Sequence, residues 1–110
     1  MKIKTDELTG PALDWAVTRA KYGINFEVVW RSCRVDCNYS SDWRQGGPII
    51  EREEIFLAKS ILGGWTGSMY VKDKDYNCIM HAAPTPLIAA MRCYVAAHLG
   101  DEVEVPEELK

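Results

Sequence analysis

Along the chain the apolar and polar positions change period several times, and each change marks an element. Residues 1–4 fit a short edge strand. Leu13, Ala16, Val17 and Ala20 then recur at i, i+3, i+4 and i+7, one face of a helix. Thr9 stands where an N-cap belongs, Pro11 falls in the first turn, and Gly23 offers a left-handed stop. In residues 24–31 ("INFEVVWR"), Ile24, Phe26, Val28 and Trp30 alternate with their neighbours, so the pattern predicts a half-buried strand. Residues 32–47 hold no sustained period and are rich in Ser, Asp, Asn and Gly, which predicts a long loop.

After Pro48 two patterns compete, since Ile50, Glu54, Leu57 and Ile61 would share a helical face while residues 54–58 fit a strand equally. The expectation is one helical turn and then a strand from about Glu54 to Lys59. Gly63-Gly64 makes a turn, residues 65–72 a second strand, 73–77 a charged turn and 78–82 a third strand. Short strands with tight connections predict an antiparallel meander. The last element is the plainest. Thr85 caps, Pro86 opens, and Leu87 to Leu99 runs without a breaker to Gly100, with only Arg92 and His98 strongly polar. A helix apolar nearly all round must be covered on several sides. The expected fold is therefore α+β: a single small domain (1–100), a short antiparallel sheet packed by two helices, the C-terminal helix as core. An acidic tail (101–110) follows, which Val103 and Val105 can pin to the body.

Composition narrows the class. The chain has 110 residues, 47% of them hydrophobic, enough for one core and too apolar for disorder. No apolar run reaches the length of a membrane span. The first residues turn acidic where a signal peptide would turn apolar, which points to the cytoplasm. In that compartment Cys33, Cys37, Cys78 and Cys93 are expected as thiols or ligands rather than disulfides. The net charge is −3, and residues 101–110 carry five acids against one lysine. That balance argues against a nucleic-acid partner, although basic and aromatic residues interleave between Arg19 and Arg44; no helix-turn-helix or RNA-binding signature accompanies them.

Three blocks are distinctive: "LTGPALDWAV" (8–17), "YSSDWRQGGPIIERE" (39–53) and "PTPLIAAMRCYVAAHLGDEVEVP" (84–106). Through them the chain resembles the NinX-like accessory proteins of lambdoid bacteriophages. The resemblance covers roughly half the chain. It implies a phage or prophage protein working in the bacterial host cytoplasm, and it carries over no catalytic residue.

Candidate chemistry concentrates in the second block. Tyr39 and Trp43 offer flat faces, Asp42, Arg44 and Gln45 offer hydrogen bonds, and Gly46-Gly47 allows positive φ and close approach. N–H groups ahead of a turn at Pro48 suit a carboxylate or phosphate. The plainer explanation is that Trp43 folds back as a lid, Asp42 caps a turn and the glycines reverse the chain. Within Glu51-Arg52-Glu53-Glu54, more simply a solvated face, Glu51 lies nearest the loop. Arg92 either reaches solvent or pairs with an acid such as Glu51 beneath the loop.

Cys33-x3-Cys37 and Cys78-x2-His81 raise a metal. On a straight strand the first pair would stand about 13 Å apart, so both pairs need sharp bends to share one ion. The default is thiols filling ordinary space, with no metal and no cofactor. The expected function is a non-catalytic binding or interaction module that uses residues 39–53 to contact a host or phage protein or a small molecule; homo-oligomer formation is compatible with it. The alternatives are a small enzyme using Asp42 or Glu51 as acid/base with Trp43 as platform, and a nucleic-acid-associated protein.

Overall fold

The computed structural model describes residues 1–33, 37–71 and 77–109, without the Cys33 side chain. The expected turn at 73–77 lies outside them except for Asn77. Among the described residues, four α-helices and five strands run in the order β1 (Lys2–Lys4), α1 (Gly10–Tyr22), α2 (Phe26–Cys33), α3 (Trp43–Glu53), β2 (Phe56–Lys59), β3 (Trp65–Tyr70), β4 (Cys78–Ala83), α4 (Pro86–Leu99) and β5 (Glu102–Glu104). The class is α+β, as the pattern implied.

α4 is the core. The Thr85 hydroxyl oxygen accepts the Ile88 N–H at 3.2 Å, and Gly100 (φ +90°) ends the helix. Between Leu87 and Ala96 every position except Ile88 is buried. One side of α4 faces the antiparallel meander β2-β3-β4. The approach is closest at Gly67, where a Cβ would sit 2.9 Å from the Ala89 carbonyl oxygen. Leu57, Met69 and Ile79 fill the space around that crossing. Away from the sheet α4 packs on α1 through Leu13, Ala16 and Val17, none of them more than 1% exposed. Burying such side chains stabilises by roughly 1.5–3 kcal/mol each.

The tail is anchored. β5 pairs antiparallel with β1, setting Ile3 opposite Val103, and Val103 and Val105 are buried. The Thr5 hydroxyl donates to the Gly100 carbonyl at 2.7 Å, fixing the junction.

Two expectations are corrected. Residues 26–33 are a helix, not a strand. Phe26, Val29 and Trp30 (i, i+3, i+4) are its partly buried residues, while Ile24 and Val28 stand in solvent. The Phe26 ring meets Trp15 of α1 edge-to-face at 5.5 Å, with the Arg19 guanidinium near both rings. Packing on α1 decides between two periods that this stretch satisfies equally. The loop expected over 32–47 also ends early, because α3 begins at Trp43 and runs through both glycines and Pro48.

Candidate functional site

The segment before α3 is held by groups from α1 and from α3 itself. Asp14, buried in α1 between Leu13 and Trp15, accepts the Ser40 N–H at 2.9 Å. Burial raises its carboxyl above the ordinary value, and hydrogen bonds from the Ser40 backbone and side chain oppose that rise. The Asn38 carbonyl accepts the N–H groups of Ser41 (3.1 Å) and Asp42 (2.8 Å), closing a turn. Gln45 reaches back with Oε1 to the Asn38 N–H at 2.8 Å. Tyr39 is buried, with the Lys21 ammonium 5.4 Å from its ring centre.

Asp42 starts α3 as its N-cap, its Oδ1 accepting the Arg44 N–H at 2.9 Å. The Arg44 side chain also donates to it, from Nε at 3.3 Å and Nη2 at 3.2 Å, which holds the carboxyl below its usual range. Gly46 and Gly47 are helical with ordinary negative φ, so the expected glycine corner is absent. Gly46 is needed for proximity instead: a Cβ there would lie 2.6 Å from the Tyr39 carbonyl oxygen and 2.5 Å from Leu87 Cδ1. With Ile49 buried behind it, α3 is pressed onto the start of α4.

Its outer side consists of Trp43 (54% exposed), Arg44, Pro48, Glu51 and Arg52. Of the residues singled out beforehand, Trp43, Arg44 and Glu51 therefore share one exposed surface, and half-buried Gly47 lies within it. Tyr39, Gln45 and Gly46 brace it from behind. Arg92 belongs elsewhere. It is buried and donates from Nε to the Leu8 carbonyl and from Nη1 to the Ala82 carbonyl, both at 2.8 Å. Both alternatives for Arg92 are thus corrected, reaching solvent and pairing with Glu51: an arginine in the middle of α4 sees the segment before α1 and the end of β4, while Glu51 faces solvent.

A cleft of about 300 Å³ opens at the C-terminal end of α3, lined by Arg52, Glu53, Phe56, Tyr70 and His98 among others. His98 Nε2 lies 3.3 Å from Glu53 Oε1, and Arg52 Nη2 lies 3.4 Å from the Tyr94 hydroxyl. The Tyr94 and His98 rings are 4.6 Å apart. His98, one of the two strongly polar residues of α4, has this glutamate as its partner. The only sequence signal for the pair was that both residues fall within distinctive blocks.

Among the described residues there is no group of three or more possible metal ligands, and the Cys33 side chain, one of the four residues that raised a metal, lies outside them. Cys37 is buried, Cys78 exposed and His81 half-buried, with burial pulling the His81 pKa down. Cys93 is buried within α4, and burial pushes its thiol up to about 11. No helix among the described residues is long and apolar enough to cross a membrane.

Compared with known proteins, residues 4–98 match the family described as "Bacteriophage P22, NinX". Among curated proteins, none matches the chain.

Proposed function

The chain belongs to the bacteriophage P22 NinX family, and we propose that within it this phage accessory protein is a non-catalytic binding module whose contact surface is the outer side of α3. One observation carries the reading: Trp43 stands half in solvent on a helix that is locked from behind. Tryptophan and arginine, side by side here as Trp43 and Arg44, are residue types enriched among the anchors of protein interfaces. A helix pressed against α4 holds these groups in place before contact, so little ordering is left for binding. Arg44 and Glu51 add charges of both signs, which suits a protein partner better than a phosphate backbone. The site of action is the bacterial host cytoplasm.

The test is affinity capture from cells carrying the phage, with wild type and Trp43→Ala compared at equal melting temperature. The expected result is a defined partner retained by wild type and reduced at least tenfold with the variant. Identical recoveries would remove α3 as the contact surface.

The contact between His98 and Glu53 beside a cleft favours a second reading, a small enzyme acting on a polar or aromatic molecule there rather than through Asp42 or Glu51. A melting shift with such a compound that disappears in His98→Ala would support it; no shift across a broad metabolite panel would count against it.

A further inference from the structure

The meander has one face against α4 and one face whose described residues are exposed or half-exposed. Strand register places Phe56, Ser68 and Met80 in a row across the latter, sets Tyr70 beside Cys78 in the next, and completes it with an Ala-Thr-Ala row. None of these eight positions is charged. Phe56 (60% exposed), Tyr70 (57%) and Met80 (63%) project from it, and the turn joining β2 to β3 carries Ile61 and Leu62, both almost wholly in solvent.

We propose that this face is the interface of a two-fold dimer, its occupant a second copy of the same chain. Two observations select that occupant. A two-fold contact sets one patch against itself, so any charge near the axis would meet its own image. The eight strand positions hold none, although the chain as a whole carries −3 and would otherwise repel a copy; Arg52, Glu53 and Glu54 line the cleft at the Phe56–Tyr70 edge of the face. Five of the acids lie between Asp101 and Glu108, and that segment pairs with β1 in the other sheet. Area is the second observation. The five large apolar side chains expose on the order of 700 Å² per copy, close to the ~800 Å² that each partner buries in a standard interface.

Two sheets packed face to face interdigitate side chains at a spacing of about 10 Å, and Phe56, Met80 and Tyr70 are long enough to fill that gap. The dimer would carry two α3 surfaces and so engage a repeated partner with avidity. The inference goes beyond the α3 reading and does not depend on it.

Light scattering of the full chain at about 100 μM tests it, a concentration at which a micromolar dimer is fully formed. Wild type should show twice the chain mass, and Met80→Lys should weaken association by at least ~100-fold, because the lysine would be buried against its own image. Tyr70→Lys serves as a second probe from another row, with melting curves confirming that both variants fold. A wild-type monomer at that concentration overturns the proposal, as does a dimer that survives both substitutions, the outcome expected of pairing between strand edges. Trp43→Ala should leave the mass doubled, so this interface and the α3 surface fail separately.

Discussion

Gly46 lies against Leu87 so closely that a methyl group on its α-carbon would come within 2.5 Å of the leucine Cδ1. The contact joins the start of α3 to the start of α4, and it explains a glycine inside a helix that propensity alone would not place there. Its neighbour Gly47 has nothing within 4 Å of the same position. The two glycines therefore separate cleanly. Gly46→Ala should destabilise by about 1–3 kcal/mol, the cost of overpacking against a backbone carbonyl exceeding the helix-propensity gain. Gly47→Ala should stabilise by up to ~1 kcal/mol. Urea denaturation of both variants checks the signs.

Asp14 should give the protein a distinctive pH response. Burial raises its pKa above the ordinary 3.8, so folding favours the protonated acid. That contribution is complete below pH 3.8 and is lost as pH rises through the higher native value. Asp14→Asn keeps an oxygen for the Ser40 N–H and cannot ionise. Thermal melts should find it close to wild type in acid and gaining on wild type towards neutrality. Asp14→Ala, which strands a buried donor, should lose about 1–3 kcal/mol at every pH.

Arg92 fastens three elements by bonding the Leu8 and Ala82 carbonyls from within α4. Arg92→Met should lower unfolding free energy by about 2–4 kcal/mol, since two carbonyls lose their charged donor. Arg92→Lys has one head group for two acceptors and should fall between. Chemical denaturation gives the ranking.

The parts of the fold legible in the sequence are those where one period, a cap and a breaker agree. α1 and α4 each begin and end at residues that carry such signals, from Thr9 and Gly23 to Thr85 and Gly100, and Gly63-Gly64 marks the turn between β2 and β3. The stretch 24–31 was not legible, because Phe26 and Trp30 fit both a period of two and a helical i, i+4 spacing, and Trp15 makes the choice. α3 was hidden for the opposite reason. Gly46, Gly47 and Pro48 read locally as breakers, but tight packing on Leu87 demands the first and the N-cap at Asp42 starts the helix ahead of all three. Of the candidate site, the exposed surface carrying Trp43, Arg44 and Glu51 was within reach of the sequence. The bracing by Asp14 and the bond from Arg92 to the Leu8 carbonyl were not, since they join residues 26 and 84 positions apart.

The most direct measurement places a photo-crosslinking amino acid at Trp43 in the full-length protein, in cells carrying the phage, with Lys2 as the control position. The account predicts a discrete crosslinked product to another protein from position 43 and none from position 2. Equal, diffuse labelling from both positions, or none from either, would contradict it.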